Sequence, residues 1–344
     1  MRGTEVLRLL AGLALFLYGM QMMSTGLEEA AGKRLQRLLS RLTDRPLAGV
    51  LVGTGVTAVI QSSSAVTVMV VGFVNAGVMT LKQAVGVIMG ANIGTTVTGQ
   101  LVALDFGQLA PIFAICGVLP AVFSKRRALR LCGQVTAGLG FLFLGMTEMS
   151  DALAPLARSL QFIRLLTAFE SPLLGILAGT VFTAVIQSSS AAVGILQALA
   201  ANGLIGADAA VYVLFGQNIG TCVTAALAAV GTSQNAKRAA AVHILFNAIG
   251  TAIFTPLCMA MPLPELMQAL APGDPAAQIA HFHTLFNIAS TLLLFPFGGA
   301  LARLSERLLP DEKRRRPRRN RRLRPEKGIC NMRTSHKTEA PTFR

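Results

Sequence analysis

The sequence describes an all-α polytopic membrane protein with two inverted-topology repeats, each containing a re-entrant helical hairpin and a broken transmembrane helix. Three observations lead there. The chain of 344 residues is 53% hydrophobic and 14% charged, with no Trp and two Tyr, which is too apolar for a soluble protein of this size. Residues 46–104 and 172–230 align without a gap at an offset of 126, with nearly half of the 59 paired positions identical. The identities concentrate on Gln61-Ser62-Ser63-Ser64-Ala65 against Gln187-Ser188-Ser189-Ser190-Ala191, and on Asn92-Ile93-Gly94-Thr95 against Asn218-Ile219-Gly220-Thr221. Polar clusters inside matched, Gly-interrupted apolar segments are the mark of a site at a repeat interface.

Taken in order, the first membrane repeat is expected over residues 6–123 and the second over 131–260. A further C-terminal transmembrane helix follows over 279–301, and a basic, disordered cytoplasmic tail over 303–344. An apolar helix from about Val6 to Leu27 has a counterpart at Leu131 to Ser150, where Gly19, Met20, Met23 and Ser24 pair with Gly145, Met146, Met149 and Ser150. Arg2 and Arg8 precede an apolar run without a small-residue cleavage site, which reads as a retained span rather than a signal peptide.

Leu47 to Val78 contains more than 30 residues without a charge. As one helix it would run about 45 Å at 1.5 Å per residue, against a hydrocarbon core of about 30 Å. Two half-helices meeting at a turn resolve the mismatch, and the midpoint of Leu47 to Gly77 is Ser62. The same arithmetic on Leu173 to Gly203 gives Ser188. The single-span segments Thr80 to Leu104 and Gly206 to Val230 have Asn92 and Asn218 at their centres. All four polar clusters are therefore expected near the bilayer midplane.

Orientation follows from Lys and Arg, which mark cytoplasmic ends. Lys33, Arg34, Arg37, Arg41 and Arg45 put the loop after the first helix inside. With each hairpin re-entrant, Lys125, Arg126, Arg127 and Arg130 fall inside again, as do Lys237, Arg238 and the tail. The loop before the second hairpin has only Arg158 and Arg164, and the Pro-rich loop with Glu265 and Asp274 is external. The N-terminus is thus expected outside and the C-terminus in the cytoplasm of a multi-pass protein of the cytoplasmic (inner) membrane. Three crossings per repeat invert the second copy. Two full spans per hairpin would leave this parity unchanged, and it is the length and central polar turn that favour re-entry.

The chemistry of the clusters is that of ion binding. A Gln-Ser-Ser-Ser tip supplies hydroxyls, an amide and free backbone N–H groups, and the start of its second half-helix favours an anion. Free carbonyls at the end of the first half-helix favour a cation. Asn-Ile-Gly-Thr adds hard neutral oxygens and a Gly that lets the helix unwind. Glu148, Lys82 and Asp208 lie toward span ends, so no fixed cation is available at mid-depth to neutralise an oxyanion. Bound cations then share that task, which gives a physical reason for co-transport.

The paired Gln-Ser-Ser-Ser hairpins, each followed by a Gly-x-Asn-Ile-Gly-Thr helix, resemble the type II sodium-phosphate cotransporter family from roughly Leu9 to Leu301. The resemblance implies sodium-coupled movement of inorganic phosphate by a bacterial symporter, not an enzyme. It implies that phosphate meets Ser62, Ser63, Ser64, Ser188, Ser189 and Ser190, with Gln61 and Gln187 near both phosphate and sodium. Asn92, Thr95, Thr96, Asn218 and Thr221 are implied to support sodium, the co-transported ion, with no organic cofactor and no transition-metal site. Two departures stand out. Cys222 takes the place that Thr96 has in the first copy, removing a hard oxygen ligand. The chain also has a basic tail where many bacterial relatives carry a PhoU-like domain.

Other readings are weaker. Thr54, Thr57, Thr180 and Thr183 precede the tips at helical spacing and read as packing residues. His243 and Asn247, like His283 and Asn287, are i, i+4 pairs in similar segments, better explained by interhelical hydrogen bonds than by proton coupling, and His281 faces elsewhere. The five scattered cysteines suggest neither zinc nor a disulfide framework. The arginines from Lys313 to Arg324 lack interleaved aromatics and suit anionic lipid better than nucleic acid. Oligomerisation is compatible with this architecture and not specified by it. Alternatives are another oxyanion or a proton as the driving ion, then a phosphate exporter, a passive channel, and last an intramembrane serine hydrolase, for which no Gly-x-Ser-x-Gly elbow exists.

Overall fold

The computed structural model describes residues 3–32, 37–39, 45–104, 106–155, 169 and 171–311. Lys33, Arg34, Arg41, Arg158, Arg164, Cys330 and the tail from residue 312 lie outside the described residues. Among the described residues the structure is helical, without strands. The first copy comprises α1 (Gly3–Ala31), the hairpin α2 (Pro46–Ile60) and α3 (Ser63–Asn75), α4 (Leu81–Ala103) and α5 (Ala110–Phe123). The second comprises α6 (Arg127–Leu153), the hairpin α7 (Pro172–Ile186) and α8 (Ser189–Ala201), α9 (Ala207–Ala228) and α10 (Gln234–Ala260). Then come α11 (Leu263–Leu270), α12 (Pro275–Leu294) and α13 (Gly298–Leu308). Among the described residues six helical stretches are long and apolar enough to cross a membrane, as befits a multi-pass protein.

Both hairpins form as the length argument requires. Their arms of 15 and 13 residues span about 22 and 20 Å at 1.5 Å per residue, short of the roughly 30 Å core. Pro46 and Pro172 open the first arms, where their missing N–H costs no helical hydrogen bond. The second arms end at Gly77 and Gly203, whose φ values of 71° and 66° suit glycine.

Each hairpin lies on the following helix through glycine. A Cβ at Gly90 would stand 2.0 Å from the Val50 carbonyl oxygen, and one at Gly94 would stand 2.6 Å from that of Thr54. In the second copy Gly216 meets the Ile176 carbonyl at 2.0 Å and Gly220 that of Thr180 at 2.5 Å. Each step of four residues on α4 matches a step of four on α2, so the two helices run parallel. The returning arm α3 then brings the chain back to the end where α2 began, the connectivity of a re-entrant hairpin. These contacts also correct one expectation. Neither Asn-Ile-Gly-Thr helix is broken: α4 and α9 are continuous through Gly94 and Gly220. The glycines serve close approach of the hairpin backbone rather than unwinding.

The helices α1 and α6, equivalent at the offset of 126, pack on each other in opposite directions. Gly12 faces Met149 N at 2.7 Å, Gly19 faces the Gly138 carbonyl at 2.6 Å, and Gly26 faces that of Leu131 at 3.3 Å, each measured from a built Cβ. Adding 126 to Gly12 and Gly19 gives Gly138 and Gly145, so the Gly19–Gly138 and Gly12–Gly145 contacts are copies of one another. Such a self-complementary antiparallel pair is what a two-fold axis across the helices produces.

The last span differs from the expected 279–301. Its helix starts at Pro275, is interrupted by a 3-10 turn at Phe295–Phe297 and resumes as α13 to Leu308. Pro296 lacks the N–H that an α-helix would need there. The α12 helix packs chiefly against α4, and also touches α8, α9 and α10. It therefore contacts both copies without belonging to either.

Candidate functional site

At each hairpin tip the chain reverses through a glutamine. Gln61 (φ 59°) and Gln187 (φ 58°) are the two non-glycine residues with positive φ among the described residues. A side chain in this region is uncommon and costs about 1–2 kcal/mol, so the same outlier at both tips marks a position where the side chain outweighs the strain. Each glutamine N–H donates to the carbonyl four residues back, Thr57 or Thr183, at 2.7 Å. The next residue starts the second arm: Ser62 Oγ accepts from Ala65 N at 3.2 Å and Ser188 Oγ from Ala191 N at 3.3 Å. Ser is a strong N-cap for this reason.

The structure links the two tips. Thr98, on α4, donates its hydroxyl to Gln61 Oε1 at 2.7 Å and accepts from Ser190 Oγ at 3.2 Å. A side chain of the first tip and one of the second thus share a partner, and Gln61, Thr98 and Ser190 are 8%, 1% and 7% exposed. Further bonds fix the tips against their supports. The Gln61 amide also donates to Ala58 O, and Ser24 of α1 donates to Ile60 O. Gln197 of α8 donates to the carbonyls of Gly99 and Ala276, both at 3.0 Å, and Gln217 of α9 to that of Ala192 at 3.0 Å.

Thr98 is not among the site residues expected from the sequence. Its signal was there: Thr98 and Thr224 are identical at the offset of 126, three residues beyond Thr95 and Thr221 on the same helices. Only the first copy bridges, because Thr224 donates to Thr221 O within its own helix at 2.9 Å. The tips differ in exposure as well. Gln61 is buried and Gln187 is exposed, whereas Ser63, Ser189 and Ser190 are buried and Ser62, Ser64 and Ser188 half-buried.

The Asn and Thr side chains of α4 and α9 are held by their own helices. Asn92 Nδ2 donates to Ile88 O at 2.9 Å and Asn218 Nδ2 to Leu214 O at 3.0 Å, which turns each carboxamide oxygen away from its helix. Thr95, Thr96 and Thr221 donate to Ala91, Ile93 and Gln217 carbonyls at 3.0, 2.8 and 2.8 Å. With the proton committed, each hydroxyl oxygen keeps lone pairs for another ligand. Asn218 Oδ1 lies 3.4 Å from His283 Nε2 of α12, the interhelical bond expected of that histidine. Cys222 Sγ accepts from Asn247 Nδ2 at 3.3 Å, so the sulfur that replaces a hydroxyl is itself engaged between α9 and α10. His281 lies on the other side of α12, with Nδ1 3.3 Å from Gln100 Nε2.

Thr54 and Thr180 bond their own helices, to Val50 O at 2.9 Å and Ile176 O at 2.7 Å, as packing residues do. Thr57 and Thr183 sit fully buried beneath the tips with hydroxyls that have no partner among the described residues.

Two chemistries follow from this geometry. The starts of α3 and α8 offer backbone N–H groups and hydroxyls, a donor set for an oxyanion. Carboxamide and hydroxyl oxygens on α4 and α9 offer hard acceptors for a small cation. No Lys, Arg, Asp or Glu belongs to the motifs that build the site, so an anion held there is balanced by dipoles and by whatever cation is bound with it.

Known proteins resemble this chain in sequence. The Na+/Pi-cotransporter family model matches the chain twice, over residues 15–151 and 145–269, one match for each copy. The Bacillus subtilis protein YqeW is 36% identical over 296 residues, covering 86% of this chain and 95% of its own. YjbB of Salmonella typhimurium, described as a putative inorganic phosphate export protein, is 30% identical over 309 residues. That match covers 89% of this chain and 56% of YjbB, so the chain spans about half the length of that relative. The mouse sodium-dependent phosphate transport protein 2A is 37% identical over 107 residues, 30% of this chain and 17% of that protein. No solved structure matches. Two family matches that together cover most of the chain, one on each serine-tipped hairpin, establish that it belongs to the Na+/Pi-cotransporter family.

Proposed function

We propose that the protein is a sodium-coupled carrier of inorganic phosphate in the cytoplasmic membrane, working by alternating access at a site between the two hairpin tips. The observation that carries this reading is the Gln61–Thr98–Ser190 link, which joins the tips of the two copies in one hydrogen-bonded unit. Phosphate is held by Ser62, Ser63, Ser64, Ser188, Ser189 and Ser190 at the starts of α3 and α8, with Gln61 and Gln187 beside it. Sodium takes the oxygens of Asn92, Thr95, Thr96, Asn218 and Thr221 and of the two glutamines. Membership of the family and the name of the mouse relative support both cargoes.

The antiparallel α1–α6 contact supports inverted repeats over 6–123 and 131–260, and the distribution of Lys and Arg favours an N-terminus outside and a C-terminus in the cytoplasm. An inverted pair gives each tip access to one face of the membrane, and breaking the Thr98 link lets one tip part from the other.

The test is phosphate flux in proteoliposomes. Flux that saturates with phosphate and disappears when choline replaces sodium supports the reading, and equal flux in choline overturns it. Direction is a separate matter, for which the name of YjbB favours efflux. Flux from phosphate-loaded vesicles of known protein orientation distinguishes export from uptake.

A further inference from the structure

A second duplicated motif lies outside the hairpins. His243-Ile-Leu-Phe-Asn247 on α10 and His283-Thr-Leu-Phe-Asn287 on α12 each continue to a threonine one turn later, Thr251 and Thr291. Spacing of i, i+4 and i+8 sets His, Asn and Thr along one side of each helix. All six side chains are buried, at 0, 1 and 5% exposure on α10 and 1, 0 and 4% on α12.

The two motif-bearing faces meet. A Cβ at Gly250 would stand 3.0 Å from Ser290 Oγ, and the Phe254 and Phe286 rings are 5.2 Å apart, a register that runs the helices antiparallel. His243 lies seven residues from Gly250 and His283 seven from Ser290, to opposite sides of that contact. The His283 ring and the His243 carbonyl nevertheless meet one turn of α9, at Asn218 and Cys222. The third wall is α9, through Asn218 at His283 and Cys222 at Asn247.

Eight of the thirteen buried side-chain polar atoms without a hydrogen-bond partner among the described residues belong to these two motifs and to Ser290. They are both ring nitrogens of His243, Nδ1 of His283, Oδ1 of Asn247 and of Asn287, and the hydroxyls of Thr251, Ser290 and Thr291. Buried polar groups are nearly always paired, with protein or with water. Leaving one dry at membrane depth is costly. Both asparagine amides donate to the histidine carbonyl four residues back, at 3.1 and 2.8 Å, which turns both carboxamide oxygens away from their helices, and Asn247 Nδ2 also reaches Cys222 Sγ at 3.3 Å.

We propose that the seam between α9, α10 and α12 holds a file of water molecules reaching Asn218. Through it a small monovalent cation gains aqueous access to the α9 half of the site. Each buried water needs two to four polar partners, which this double row of orphaned groups supplies. Outward-turned carboxamide oxygens and hydroxyls favour a cation over phosphate. The water file stands on the seam itself, and the cation's use of it rests on the proposed sodium coupling.

X-ray radiolytic hydroxyl labelling of the full chain in nanodiscs tests this, comparing like with like. Phe246 and Phe286 flank the seam, and Phe16 and Phe143 are equally buried elsewhere, all four at 2% exposure or less. Labelling of the first pair several-fold faster than the second is expected, with Ser290→Leu lowering it toward the control rate and Ser290→Ala preserving it. Equal rates for the two pairs in the wild-type protein overturn the water file, whatever the variants do. A labelled seam whose Ser290→Leu block leaves the sodium half-saturation of flux unchanged overturns the cation route. A seam no faster than the controls beside sodium-dependent flux overturns the seam and spares the carrier, whereas a labelled seam with sodium-independent flux keeps the water and overturns the sodium reading.

Discussion

Replacing Thr98 with Val removes one hydroxyl at nearly constant volume from a residue that is 1% exposed. The change withdraws the donor from Gln61 Oε1 and the acceptor from Ser190 Oγ. An unpaired buried polar group costs about 1–3 kcal/mol. The carboxamide oxygen pays toward the middle of that range, and the Ser190 hydroxyl less, because it can rotate to another acceptor. Together they amount to about 2–4 kcal/mol, each 1.36 kcal/mol being a factor of ten in a rate or equilibrium constant. Part of this penalty falls equally on every state of the transport cycle and leaves flux untouched, so Vmax/KM for phosphate should fall by at least about tenfold. The paired variant Thr224→Val is the internal control. Its hydroxyl bonds only its own helix, and its effect should stay within about twofold, the surface-like range of roughly 0.5 kcal/mol. Initial rates of radiolabelled phosphate flux in proteoliposomes, with both variants at matched reconstitution, give the comparison. Equal kinetics for Thr98→Val and the wild-type protein, or equal losses in both variants, would refute the role given to the link.

Three further outcomes follow from the same geometry. Gly90→Ala and Gly216→Ala each drive a methyl group to 2.0 Å from a hairpin carbonyl, so both should lower thermal stability by about 1–3 kcal/mol or more, whereas Gly55→Ala, with nothing within 4 Å, should be neutral or stabilising. Thermal unfolding in detergent separates the two classes, and indistinguishable melting curves would count against the tight hairpin docking. Gln187→Gly relieves a left-handed backbone at an exposed residue and should raise stability by roughly 1 kcal/mol while reducing phosphate flux; stability gained with flux intact would show the strain to be without function. Cys222→Thr restores the hydroxyl that the first copy has at Thr96 and should lower the sodium half-saturation severalfold, and an unchanged sodium curve removes position 222 from any ion site.

The hairpins were legible in the sequence because bilayer thickness converts a count of apolar residues into a shape. A run too long for one span and centred on Ser62 has few foldings, and the turn indeed falls at Gln61–Ser62. Gly94 and Gly220 were visible as glycines, but a sequence records a missing side chain without saying what moves into its place. The expected unwinding and the observed close approach of Thr54 and Thr180 carbonyls are equally consistent with Gly. Thr98 was hidden for a different reason: its partners Gln61 and Ser190 are 37 and 92 residues away, so its role exists only once the copies are folded together. The inequality of the tips arises in the same way. Two near-identical motifs meet unlike surroundings, and among the described residues α12 packs chiefly against α4 of the first copy while also touching α8, α9 and α10 of the second.

The decisive question is whether sodium drives phosphate through this protein. Proteoliposomes preloaded with phosphate at the external concentration, then given a sodium gradient of either sign, provide the measurement. Net accumulation of phosphate on the side of low sodium is expected, reversing when the gradient is reversed and approached at least about tenfold more slowly by Thr98→Val at low phosphate. Phosphate that stays at equal concentration under both gradients, while still exchanging, would contradict sodium coupling.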